Sequence, residues 1–294
     1  MPGAGVKILN KRIRSVKSTQ QITKAMKMVA AAKLNRSQGR MLAARPYSQK
    51  LTKLVEHLAS AADGASPLFE VREVKRRLFV VVTSDKGLCG SYNMNIIKLA
   101  KQAIDASVAE GVETELLTVG KKAGDFFGKR GYTIFKRHDD FNGEATAPRG
   151  QAVGGAVVDS FLAGTFDQVR LVYAEFVSTM TQRPTDQLVL PIAPESMAAA
   201  ADQDDDEVAH LDYIWEPGQA ELFAVLLPLY LRNRVFMTLM EAFTSEHAAR
   251  MTSMTAATEN AGELIDALTL QRNRERQAAI TAELLDIVGG ANAL

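Results

Sequence analysis

The stretch LFAVLLPLYLRNRVFMTLMEAF (residues 222–243), resumed by MTAATENAGELIDAL (residues 254–268), decides the fold. Apolar side chains recur at alternating steps of three and four through Leu222, Leu226, Leu229, Phe236, Met240, Phe243, Met254, Ala257, Ala261, Leu264 and Leu268. The series continues to Ala278, Ala282 and Leu285. A period of about 3.5 residues marks a left-handed coiled-coil seam. A second, weaker series runs through Ala30, Leu34, Met41, Ala44, Leu51, Val55, Leu58 and Ala62. A helix with one apolar stripe needs a mate in water. The economical mate for each stripe is the other end of the same chain, which predicts an antiparallel coiled coil of the two termini.

Between the termini the period changes. Leu78-Phe79-Val80-Val81-Val82-Thr83 is a short β-branched run that reads as a buried strand of a parallel sheet. Strands are also expected at residues 116–119, 133–135, 169–174 and 187–192, with helices at about 93–109, 121–129 and 151–163. Strands alternating with helices argue for a Rossmann-like, doubly wound α/β domain. The chain is therefore expected to combine α/β architecture with the helix pair. Residues 1–62 form the first helix, 63–76 a linker and 77–195 the α/β domain. Residues 196–217 connect it to a second long helix, 218–294, about 100 Å long at 1.5 Å per residue. Pro46 is expected to bend the first helix, Pro228 to kink the second or mark its start, and Gly289-Gly290 to stop it.

The chain has 294 residues, 47% of them hydrophobic, which excludes a disordered protein. One cysteine excludes an internal disulfide framework and fits a reducing compartment. No hydrophobic run of about 20 residues is evident, and the start lacks the apolar core of a secretory signal. These features predict an intracellular protein, soluble or peripheral to a membrane. The net charge of +1 conceals an asymmetry. Thirteen basic residues, from Lys7 to Lys53, precede the first acidic one, Glu56, leaving 22 basic against 34 acidic in the remainder. Such an arm calls for an acidic partner, either nucleic acid or an acidic protein surface.

Candidate chemistry is sparse. Gly120-Lys121-Lys122-Ala123-Gly124 and Ser84-Asp85-Lys86-Gly87 each follow a strand, but neither has the glycine spacing of a phosphate or dinucleotide loop. His57, His138, His210 and His247 have no spaced metal partners and read as surface or seam residues. Cys89 lacks an arranged base and reads as a small buried residue. The acidic run Asp202–Glu207 reads as a solvated loop. No catalytic, cofactor-binding or metal-binding residue is therefore predicted. An α/β enzyme with helical extensions and a nucleic-acid adaptor using the basic arm are the competing readings.

Three segments carry a resemblance. Residues 12–31, RIRSVKSTQQITKAMKMVAA, resemble the N-terminal signature of the gamma subunits of F-type ATP synthases. Asp85-Lys86-Gly87-Leu88-Cys89-Gly90 resembles the internal motif of that family, and residues 274–284, RERQAAITAEL, its C-terminal signature. The resemblance implies a rotor, the central stalk that couples turning of a proton-driven c ring to conformational changes at the beta-subunit catalytic sites. It implies three alpha and three beta subunits, an epsilon subunit and the c ring as partners, with one copy of this chain per complex. ATP, ADP and Mg would be bound by the partners, and the basic arm would meet an acidic protein rather than nucleic acid.

Carried over residue by residue, the resemblance implies beta contacts at Lys24, Met26, Lys27, Arg276 and Gln277. It implies a bearing tip at Leu284, Leu285, Ile287 and Val288. A foot toward the c ring and epsilon falls at Tyr213, Trp215 and Glu216, and the family motif at Gly87, Leu88, Cys89 and Gly90. The absence of a transit sequence ahead of the signature points to a bacterium, with the protein peripheral on the cytoplasmic face of the inner membrane. The seam reading places Leu264 in the apolar contact, so Leu264→Asp is expected to cost several kcal/mol.

Overall fold

The structure, a computed structural model, describes residues 4–61, 66–192, 216 and 218–291. Its elements are α1 (Ala4–Ala61), β1 (Arg76–Val82), α2 (Tyr92–Ala109), β2 (Glu113–Val119), α3 (Lys121–Gly128), β3 (Ile134–His138), α4 (Ala147–Leu162), β4 (Gln168–Phe176), β5 (Gln182–Leu190) and α5 (Gln219–Ala291). The chain divides into two compact units. One comprises Met1–Ala31 with Arg250–Leu294, and the other Ala32–Ala249.

The larger unit holds one five-stranded sheet in the order β3-β2-β1-β4-β5. β1 to β4 run parallel and β5 returns antiparallel to β4. Alternation along β1 divides its side chains between two cores, as a strand of period two must. Leu78, Val80 and Val82 face α4, α5 and the end of α1, where they meet Val157, Phe161, Leu231, Val235 and Val55. Phe79 and Val81 face α2 and α3, meeting Ile96, Ala100, Ile104 and Phe127. Covering both faces with helices is what the apolar run Leu78–Val82 requires.

β5 begins earlier than the apolar pattern suggests, at Gln182 rather than Gln187. Its first half is polar and contains Pro184, which an edge strand tolerates because the missing N–H is not needed on the outer side. Cross-strand ion pairs neutralise it: Arg170 holds Asp186 at 2.9 Å and Arg183 holds Glu175 at 2.9 Å.

In the smaller unit Leu9, Ile13 and Val16 of α1 pack on Ile265 and Leu268 of α5. The seam then turns polar. The hydroxyls of Thr23 and Thr258 lie 2.8 Å apart, and Gln20 Nε2 donates to the Thr258 carbonyl at 3.4 Å. In the larger unit the Ser37 and Thr244 hydroxyls lie 2.6 Å apart, and Asn233 Nδ2 donates to Ser48 Oγ at 3.0 Å. Residue numbers rise in α1 as they fall in α5, and each of the pairs 23/258, 37/244 and 48/233 adds to 281. The two helices are antiparallel in each unit.

Several details depart from the sequence expectation. Leu229 and Leu264 are 40% and 41% exposed, whereas Leu231, Val235, Ile265 and Leu268 are buried. A seam alternating between steps of three and four leaves the phase open at each step, and from Ala261 the structure steps four to Ile265 rather than three to Leu264. α5 begins before Pro228, so this proline lies inside the helix, and the helix runs through Gly289-Gly290 to Ala291. α5 also contains a window apolar enough, by length and composition, to cross a membrane. Much of the apolar surface of its first half is instead spent on the sheet, from Phe223 to Ala249.

Ile265→Asp is expected to lower the unfolding free energy by several kcal/mol, because it places an unpaired charge at a buried contact. Leu264→Asp should fall within about 0.5 kcal/mol of the parent. Urea unfolding followed by helical circular dichroism separates the two.

Candidate functional site

Doubly wound sheets hold ligands in the crevice outside the carboxyl ends of their parallel strands. Here that edge is occupied by α5. At the end of β4 the Phe176 amide donates to Glu241 Oε1 at 3.1 Å. Just beyond β1, at the start of α2, the Tyr92 hydroxyl donates to the Ala242 carbonyl at 2.8 Å. In the loop after β3, His247 Nε2 donates to the Gly143 carbonyl at 2.8 Å, and the Phe141 and Phe243 rings lie 5.3 Å apart. Residues 242–249 of α5 are consequently buried on every side, including Thr244, Ser245, Glu246 and His247.

The lysine-bearing turn after β2 is likewise closed. Asp85 Oδ1 accepts from the Lys121 amide at 3.1 Å and from the Asp140 amide at 3.2 Å, while Oδ2 accepts from the Asn142 amide at 2.6 Å. Thr83 Oγ1 accepts from the Ala123 amide at 2.9 Å. The amides that would cradle a phosphate at the start of α3 are thus bound to the protein's own carboxylate and hydroxyl. Lys121 reaches Asp140 at 2.6 Å, and that contact holds the Asp140 carboxyl below its usual range. The loop from Asp140 to Glu144 is tied to α1 as well, through Lys33 to the Asn142 carbonyl at 3.4 Å and Arg40 to Glu144.

The other sequence-marked residues separate clearly. Cys89 is 2% exposed, and its sulfur lies 3.2 Å from Asn93 Nδ2 beside Ser84. Leu88 beside it is 61% exposed with φ of 65°. Gly87 is half-buried and Gly90 exposed. His138 is half-buried at the end of β3. His247 is neither a surface nor a seam residue; it is buried against the α/β loop. Among the described residues no group of three or more His, Cys, Asp or Glu could hold a metal. Lys24, Lys27, Arg276 and Gln277 are exposed and Met26 is half-buried, all within the smaller unit. Leu284, Leu285, Ile287 and Val288 are all more than half exposed. Glu216 is exposed, while Tyr213, Trp215 and the run Asp202–Glu207 lie outside the described residues. Sequence reading passed over Tyr92, Glu241 and Gly143, whose partners lie far away along the chain. Only the abrupt polar run Thr244–His247 inside an apolar helix hinted at them.

A sheet whose ligand edge is filled by its own helix, joined to paired helices with exposed basic and apolar outer faces, defines a structural subunit of a larger assembly. The ATP synthase family model matches residues 5–294. The ATP synthase gamma chain of Pelotomaculum thermopropionicum is 43% identical over 97% of this chain and 98% of its own length. That of Geobacter sp. strain M21 is 44% identical over 99% of each. Among solved structures, the central stalk and c ring of the Tetrahymena thermophila mitochondrial ATP synthase contains a chain matching 80% of this one and 99% of its own length. Its TM-score is 0.61 at 26% identity. A chain of the Euglena gracilis mitochondrial enzyme shares the fold over 99% of this chain and 95% of its own, with a TM-score of 0.68 at 19% identity. The chain belongs to the family of ATP synthase gamma chains. It is a rotor subunit of the central stalk, non-catalytic, and part of the peripheral sector of a membrane ATP synthase.

Asp85→Ala strands three backbone donors and is expected to cost about 2–3 kcal/mol, read as a lower urea midpoint. Burial raises the Glu241 carboxyl above its ordinary range, against the opposing Phe176 N–H. A raised acid binds its proton more tightly in the folded chain. Its contribution is therefore full below the ordinary glutamate range and is lost as pH rises through the folded value. Glu241→Gln keeps an acceptor for Phe176 and should remove that part of the pH dependence, which unfolding midpoints measured between pH 4 and 8 would show.

Proposed function

We propose that this chain turns inside a ring of three alpha and three beta subunits, as one copy per complex, with epsilon and the c ring as its other partners. The reading carries proton-driven turning of the ring into successive conformations of the beta catalytic sites, where ATP, ADP and Mg are bound. Contacts with beta are assigned to Lys24, Met26, Lys27, Arg276 and Gln277, and a bearing to Leu284, Leu285, Ile287 and Val288. The foot toward the c ring and epsilon is assigned to Tyr213, Trp215 and Glu216. The protein would lie on the cytoplasmic face of a bacterial inner membrane.

The observation that carries this reading is the exposed apolar tip of α5. Leu284, Leu285, Ile287 and Val288 are 57%, 66%, 68% and 56% exposed. Four large apolar side chains crowded at one helix end favour a socket on a partner. The basic arm supports it from the side, since Lys24 and Lys27 are exposed on α1. Exposed ion pairs contribute roughly 0–1 kcal/mol each and are screened by salt, so they centre a moving shaft without locking it. Deeply buried pairs would cost several kcal/mol to break at each step. Torque is then carried mainly by packing, with charge as guidance.

Purification with native partners should return one copy of this chain among three each of two larger subunits; another stoichiometry contradicts the assignment. Replacing both Lys24 and Lys27 by Gln should lower coupling by no more than about threefold, in line with the small worth of exposed pairs. Abolished rotation in an intact complex would show that charge, not packing, carries the torque.

A further inference from the structure

Within the larger unit, the place where doubly wound folds take a ligand is filled by the protein's own long helix. Residues 241–249 of α5 meet the ends of three parallel strands or the loops that follow them, through Phe176, Tyr92 and Gly143. The fit tolerates almost no added volume. A Cβ on Gly143 would lie 2.5 Å from His247 Cε1, and Gly143 also has φ of +75°, where side chains are strained. On the adjoining face α4 presents Gly150 and Gly154, one helical turn apart. A Cβ on Gly150 would lie 2.2 Å from the Phe236 ring, and one on Gly154 would lie 2.9 Å from Cα of Arg232. The second contact is with backbone, which cannot swing aside. α4 and α5 therefore meet at main-chain distance, and the helix is gripped on two sides.

We infer that this occupied crevice is a torque socket: Gly143, Gly150 and Gly154 are positioning residues through which turning passes between the α/β domain and the stretch of α5 packed on it. A helix held by one apolar stripe alone could roll about its axis, because hydrophobic contact is non-directional. Directional bonds at Glu241, Ala242 and His247, with a glycine notch against Arg232 and Phe236, oppose rolling. The inference rests on the rotor reading above, in which turning of the membrane ring reaches this chain and its helices deliver it to the beta sites.

The test uses the whole enzyme in sealed vesicles, with Gly143→Ala and Gly154→Val made separately in this chain. ATP hydrolysis, ATP-driven acidification and subunit composition are measured on the same preparations. A loosened socket should leave hydrolysis within about twofold of the parent and cut protons moved per ATP at least threefold. Met180→Ser, on the exposed turn between β4 and β5, should change neither. An assembled variant with an unchanged ratio of acidification to hydrolysis overturns the inference. If Gly154→Val does not assemble, the ratio for Gly143→Ala decides alone, since that change leaves the glycine notch of α4 intact. Failure of the parent enzyme to pump, or its lacking this chain, would refute the rotor reading itself.

Discussion

One constraint organises the molecule: a long helix with an apolar stripe has no stable existence in water until that stripe is covered. α1 and α5 meet it by running antiparallel, and in each unit the contact combines aliphatic packing with a few hydroxyl and amide pairs. In the larger unit the demand on α5 is greater. Its burial widens until, from Ala242 to Ala249, no side faces water. A stripe needs one partner, but a helix buried all round needs several, and the sheet, α4 and the loop after β3 supply them.

That arrangement leaves the usual ligand edge of an α/β domain of familiar topology occupied by the protein itself. The carboxyl edge of the sheet still presents strand ends and a helix N-terminus, the ingredients of a phosphate site. Asp85 takes the amides at the start of α3, and Glu241 and His247 bond groups at or beyond the strand ends. The motif containing Gly87, Leu88, Cys89 and Gly90 then reads as architecture. It carries the chain from β1 to α2 while placing Asp85 over the next loop and Cys89 against Asn93. Catalysis belongs to other subunits of the enzyme, and this chain keeps the scaffold for a mechanical purpose.

Much of the fold was legible in the residues. The β-branched run at Leu78–Val82 announced the central strand, and the 3.5-residue series announced the helix pair, because both signals depend only on near neighbours. What escaped detection depends on distant ones. β5 hid its first half behind Arg183, Pro184 and Asp186, polar residues that become strand-like only when Glu175 and Arg170 lie opposite. The seam was misassigned at Leu264 because either of two adjacent apolar residues satisfies the spacing. His247 read as a surface or seam residue, since nothing local reveals that the sheet edge closes over Thr244–His247. The residues assigned to partners rest on family resemblance, and Lys24 and Leu284 among them are exposed.

The hydroxyl and amide pairs that join positions adding to 281 bear on how such a chain can change over generations. Within the larger unit, sliding one helix past the other by a single turn would leave Ser37 and Ser48 each without its bonding partner. Removing a turn from either helix between two such rungs would do the same. In the larger unit, length variation between Ser37 and Ser48 is therefore tied across the pair: a deletion on one helix is tolerable only with a matching deletion on the other.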